Sequence, residues 1–220
     1  MDKKVLRLLI DEYKRLFSNI SERSGFEYRK YHGLRVLTYC CEWVELPFLN
    51  DKEINRDALM VASLFHDIGK IRRVNADNFM IKVSDDSDNH GVLGSEIIDE
   101  YIGKYFEDKN FIKKVSLIIK EHCGDEVLEY ESHILRDADL FDKYGFVQVT
   151  RMVAYGERNG RNVEGMLERW TKVERGGFEK NLGNFYFEEV RNMARERLKK
   201  LDDFFDDLSR DNTGYLQLIS

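Results

Sequence analysis

DALMVASLFHDIGK, residues 57 to 70, is apolar helix up to Phe65 and then sets a histidine and an aspartate side by side at its end. Adjacent helix residues diverge by about 100°, so His66 and Asp67 cannot share a ligand through parallel side chains. A long imidazole and a short carboxylate can still converge on an ion lodged beside the helix end. A buried carboxylate without a partner is costly or protonates. No lysine or arginine stands in an evident helical pairing with Asp67, so its partners are expected elsewhere in the chain.

Working outward, the chain reads as helix after helix. Leu6, Leu9, Ile10, Tyr13, Leu16, Phe17 and Ile20 follow helical spacing and predict a first amphipathic helix over about 2–20. A second runs from about Tyr28 to Leu46 and stops near Pro47. Asn50-Asp51-Lys52-Glu53 offers a capping-box pattern ahead of the third. Residues 72–89, RRVNADNFMIKVSDDSDN, lose the periodicity and read as a long surface loop of the kind that serves as a lid or binding loop. Helical patterns resume in HGVLGSEIIDEYIGKYF from His90, in DKNFIKKVSLIIKEHC, in SHILRDADLFDKYG and in FVQVTRMVAYGERNG, with Cys123-Gly124 marking a helix end. A glycine-rich stretch around Gly176, Gly177 and Gly183 interrupts the pattern before a last long amphipathic helix, FYFEEVRNMARERLKKLDDFFDDL. The expectation is all-α: one domain over 1–220, with a core at about 28–156 and a helical part, 157–220, packing on it.

Composition narrows the classes. A chain of 220 residues, 42% hydrophobic and 35% charged, with a single proline, reads as globular and helix-rich. A net charge of −6 argues against stable non-specific binding to nucleic acid, which needs clustered Lys and Arg. Arg7, Asp11 and Glu12 interrupt the N-terminal apolar residues, so no signal peptide is expected, and no uninterrupted run suits a membrane span. Three cysteines (Cys40, Cys41 and Cys123) make neither a disulfide framework nor a C-x-x-C zinc signature. A cytoplasmic location is expected.

Four of the five histidines lie on or beside apolar faces, each on a different helix. His32 shares the second helix with Val36, Tyr39 and Trp43; His66 closes the third; His90 opens the fourth on the stripe Leu93, Ile97, Tyr101. His122 ends the fifth, beyond Phe111, Val115, Ile118 and Ile119, while His133 reads as an ordinary surface or loop residue. Asp139 stands four residues after Leu135 on the inward side of the sixth helix. One such histidine alone is most simply a core residue with a satisfied hydrogen bond. With two inward acids, however, a divalent cation answers the whole set, since neutral imidazole and carboxylate suit borderline ions.

The order His32, His66-Asp67, Asp139 resembles the H…HD…D signature of the HD superfamily of metal-dependent phosphohydrolases. HDIGK is similar to a common form of that family's central motif. ESHILRDADLFDKYGFVQVTRMVAYG, residues 131–156, resembles the E-x-x-(I/L)-L-x-DADRLDA-x-GA-x-GIAR-x-x-x-YG segment of a small bacterial branch. Motif matches span about residues 28 to 156. The resemblance implies an HD-domain helical bundle in which His32, His66, Asp67 and Asp139 hold a metal. It further implies that His90 and His122 can bind a second ion, with Asp67 bridging. The metal would be Mn²⁺, Fe²⁺, Ni²⁺, Mg²⁺ or Zn²⁺, one or two per chain, activating water against a phosphate ester or anhydride of a nucleotide or related small molecule. Lys70 and Arg151 are the candidate phosphate contacts, with Arg72 and Arg73 read as solvated, and Glu131 matches a family glutamate expected to cap or support. Leu140 stands where the branch has a basic residue, and GFVQVTR replaces GAIGIAR, so substrate does not transfer from relatives. The six-ligand order also resembles HD-type diiron oxygenases; a nucleotide-sensing module is the third reading.

Overall fold

A computed structural model describes residues 1–18, 28–73 and 90–217. The predicted loop at 72–89 lies outside the described residues from 74 onward. Among the described residues the fold is all-helical, and two compact units divide the chain, Met1–Asp139 and Leu140–Ser220.

The first unit contains α1 (Lys3–Phe17), α2 (Tyr28–Trp43), α3 (Arg56–Phe65), α4 (His90–Ile102), α5 (Lys109–Glu121) and most of α6 (Tyr130–Asp142). Asp2 caps α1 by accepting the Lys4 N–H at 2.7 Å, and the buried stripe Leu9, Tyr13, Phe17 repeats every fourth residue as its periodicity requires. The cap of α3 is Asn55, whose side chain accepts the Ala58 N–H at 3.0 Å. The capping box expected at Asn50–Glu53 therefore does not start this helix: Pro47–Leu49 forms a short 3₁₀ turn, and the chain needs the next residues to swing round before α3 begins.

α3 packs against α2 and α5, and α4 lies along α5. Their shared core includes Val36, Cys40, Leu59, Ala62, Leu64, Phe65, Ile98, Val115, Ile118 and Ile119, all nearly inaccessible. After Phe65 the chain tightens through a turn into a 3₁₀ segment, Ile68–Arg73, which crosses the start of α4. Gly69 makes that crossing possible. A Cβ there would stand 2.0 Å from the His90 carbonyl oxygen and 2.6 Å from the Gly94 nitrogen, backbone atoms that cannot swing aside. Tyr13 ties α1 to α2 in the same region, its hydroxyl accepting the Gly33 N–H at 3.1 Å beside His32.

The second unit holds α7 (Val147–Arg158), α8 (Val163–Arg169), a π-helical turn (Trp170–Glu174), α9 (Arg175–Asn181) and α10 (Glu188–Gln217). The glycine-rich stretch expected to break the pattern is thus helical at Gly176 and Gly177. Aromatic packing overrides glycine's weak helix propensity: Trp170 stacks on Phe205 at 4.3 Å, and the Tyr144 hydroxyl donates to the Phe178 carbonyl at 2.8 Å.

Gly69→Ala should destabilise the chain by about 1–3 kcal/mol, the usual cost of overpacking. Gly176→Ala, where a Cβ meets nothing within 4 Å, should be neutral or stabilise by up to about 1 kcal/mol. Denaturant midpoints of the two variants measure both; equal midpoints would refute the steric account of Gly69.

Candidate metal centre

The ends of three helices and the interiors of two meet at one cluster. His66 is the C-terminal cap of α3, His122 that of α5, and His90 the first residue of α4. His32 comes from within α2 and Asp139 from α6. All six sequence-predicted ligands are brought together. His32 Nε2 is 3.0 Å from Asp139 Oδ1 and 3.8 Å from Asp67 Oδ2. His66 Nε2 is 3.2 Å from His32 Nε2, 3.7 Å from Asp67 Oδ1 and 3.8 Å from Asp139 Oδ1. On the other side of Asp67, His90 Nε2 lies 3.3 Å from its Oδ1 and 3.2 Å from His122 Nε2.

Backbone carbonyls aim two of these rings. His66 Nδ1–H donates to Ser63 O at 2.8 Å, and His122 Nδ1–H to Ile119 O at 2.5 Å. Each is the carbonyl three residues back, left without an intrahelical donor at the helix end. A carbonyl only accepts, so the proton sits on Nδ1 in both rings, and each neutral ring turns a bare Nε2 lone pair into the cluster. Lone pairs and carboxylate oxygens facing one another at such distances repel unless a positive charge lies among them. With ligand bonds of about 2.1 Å, neighbouring ligands around one ion stand roughly 3 Å apart, the spacing found here. The donor set fits a divalent cation.

The electrostatics say the same. Burial pushes the His66 ring down to about 4 and the His122 ring down to about 3, despite the nearby carboxylates, so both are neutral and ready to ligate near pH 7. His90 behaves oppositely. Burial works against its charge, but the hydrogen bonds to Asp67 and Cys123 and the Asp67 charge outweigh it and hold the ring up at about 10.

Two expectations need correction. Asp67 does have a cationic partner: Lys70 Nζ stands 2.6 Å from Asp67 Oδ1. The 3₁₀ turn after His66 brings a residue three places on over the carboxylate. Asp139 is not an enclosed acid, its side chain being 29% exposed, whereas Asp137 of the same helix is fully buried. An open flank at Asp139 gives the cluster access to solvent. Arg72 pairs with Glu100 across a solvated surface, as its reading anticipated. Arg151 belongs to the second unit, where its guanidinium donates to Gln148 at 3.3 Å and lines a cavity with Lys143, Phe178 and Asn181.

Glu131 supports from outside the cluster. Its Oε1 accepts the Asn55 N–H at 2.6 Å, tying α6 to the cap of α3, and Lys114 of α5 stands 3.1 Å from Oε2. Cys123, read only as a helix end, lies beside His90 and His122 in one of three overlapping groups of potential ligands among the described residues. Its adjacency to His122 was the available signal, and no spacing rule covers it.

A helical domain that converges histidines and carboxylates from five elements on one locus offers the donor set of a metal site. The HD-domain family model matches residues 29–145, more than half of the chain, and the protein belongs to that family. No curated protein matches it. Among solved structures it is similar to a predicted HD superfamily hydrolase from an uncultured Thermotogales bacterium: 18% identity, TM-score 0.61, covering 93% of this chain and 91% of that one. Bacillus subtilis YpgQ, in complex with ADP, aligns at 16% identity with TM-score 0.63, covering 94% and 95%. The Lin1889 protein of Listeria innocua aligns at 17% identity with TM-score 0.59, covering 97% and 98%. At such identities the likeness is one of fold. No helix among the described residues is long and apolar enough to cross a membrane.

The ring environments predict how the chelator-stripped protein responds to pH. His66 and His122 have folded values below the ordinary 6.5, so the unfolded chain takes up protons first. Their contribution is whole above about pH 6.5 and is lost as pH falls through about 4 for His66 and about 3 for His122. His90, raised, contributes fully below 6.5 and loses its contribution as pH rises through about 10. Stability of the stripped chain should fall on both sides of about pH 6.5, and His122→Gln should flatten the acid side. Denaturant midpoints across pH measure this; a midpoint that rises as pH falls below about 6.5 would contradict it.

Proposed function

We propose that the protein is a metal-dependent phosphohydrolase acting on a nucleotide or a related small phosphorylated molecule. The observation that carries this is the convergence of bare ring nitrogens and carboxylate oxygens on a single cation-sized locus. Membership of the HD-domain family supports it. The choice of a nucleotide as substrate class rests on the fold neighbour from Bacillus subtilis that was crystallised with ADP.

His32, His66, Asp67 and Asp139 would hold the ion, which when bound lowers the pKa of water and polarises a phosphoryl oxygen. The chain's own groups do the rest. The Ser63 carbonyl keeps His66 in the ligating tautomer. Lys70 spends one of its three N–H donors on Asp67 and offers the others to an anionic group at the same locus. Asp139, on the exposed side, marks where substrate would approach. The retention of both carboxylates and the full histidine set favours turnover over a purely sensing role.

Release of phosphate or nucleoside from a panel of nucleotides and sugar phosphates tests the reading, with stripped protein reloaded with Mn²⁺, Fe²⁺, Ni²⁺, Zn²⁺ or Mg²⁺ in turn. Release should require metal and fall by at least about 10²-fold in Asp67→Ala, the scale on which loss of one transition-state-stabilising group is felt. Stoichiometric metal binding with no release from any substrate would reject hydrolysis for that panel.

A further inference from the structure

We propose that Cys123 supplies a sulfur ligand to a second cation position shared with His90 and His122, so that the two positions of the cluster select different metals. The inference rests on reading the cluster as a metal centre and concerns a residue outside the four-ligand set.

One ring nitrogen of each histidine and Cys123 Sγ all lie within 4.8 Å of one another. His90 Nε2 and His122 Nε2 are 3.2 Å apart. The sulfur is held in place from several directions. A turn closes around it, Gly124 N–H donating to Glu121 O at 3.0 Å. The buried Glu121 carboxylate accepts the N–H groups of Leu128 and Glu129 at 3.3 and 3.2 Å and pins the far end of the same segment. Across from it is Gly91, where a Cβ would stand 2.5 Å from Sγ, so only a residue without a side chain lets α4 approach this closely. The two rings are buried while Cys123 itself is exposed, which leaves the position open on the sulfur side.

Ligand chemistry then separates the two positions. His32, His66, Asp67 and Asp139 offer nitrogen and oxygen, a set that accepts Mn²⁺, Fe²⁺ or Mg²⁺. A site with two imidazoles and a thiolate favours Zn²⁺, Co²⁺ or Fe²⁺ and discriminates against Mg²⁺. Binding would displace the thiol proton to solvent, since the thiolate is the ligating form.

Titration of the stripped full-length chain with Co²⁺ tests this through the near-ultraviolet thiolate-to-cobalt charge-transfer band, independently of activity. Wild-type protein should take two equivalents, one of which brings the band. Cys123→Ser should keep the equivalent without the band at unchanged affinity, bind the other at least about tenfold more weakly, a loss typical for metal sites, and show no band. Two equivalents without a band would overturn the proposal and reduce Cys123 to a neighbour of the two histidines. A band that persists in Cys123→Ser would overturn it too. A single equivalent in the wild type would overturn it while leaving the four-ligand centre intact; no binding at all would overturn both. Iodoacetamide labelling, read by peptide mapping, needs no variant: cobalt should slow modification of Cys123 at least about tenfold, and an unchanged rate would refute ligation.

Discussion

Asp67 is the constraint around which the first unit is organised. Its carboxylate is almost completely removed from water at the end of α3, and such a charge persists only if positive charge surrounds it. Lys70 stands 2.6 Å from it, and the ring of His90, whose charged form Asp67 favours, stands 3.3 Å away. Both come from elements that the crossing at Gly69 locks together. A divalent ion held by these residues would take over a compensation that Lys70 and His90 already provide.

Glu131 extends this organisation outward. By accepting the Asn55 N–H and pairing with Lys114, it connects the starts of α3 and α6 with the middle of α5. Those three helices carry His66, Asp139 and His122, so one buried carboxylate outside the centre fixes the relative height of three candidate ligands within it. Lys114 also reaches Glu129 at 2.5 Å, which anchors the segment entering α6.

Much of this was legible in the chain because helical periodicity is a strong signal and the ligands obey it. His66, His90 and His122 stand at the edges of apolar stripes, and edges of buried helices are where side chains can meet across elements. The features that escaped depend on local geometry that no periodicity reports. Lys70 reaches Asp67 from three residues on, across the turn into the 3₁₀ segment after His66. Asn55, not Asn50, caps α3, since its position depends on how the Pro47 turn redirects the chain. Gly176 and Gly177 join a helix because Trp170 and Phe178 bury themselves, a tertiary effect outweighing local propensity. The exposure of Asp139 beside a buried Asp137 was hidden for the same reason: helical spacing ranks faces but does not say where a cluster opens.

The rings of His66 and His122 are aimed by peptide carbonyls at Ser63 and Ile119, not by side chains. Every sequence that forms these helix ends possesses those carbonyls, whatever residues stand at the two positions. The orienting groups therefore cannot be lost by point substitution, short of disrupting the helix itself. A change of side chain at Ser63 or Ile119 leaves the aim of the two ligands with the backbone.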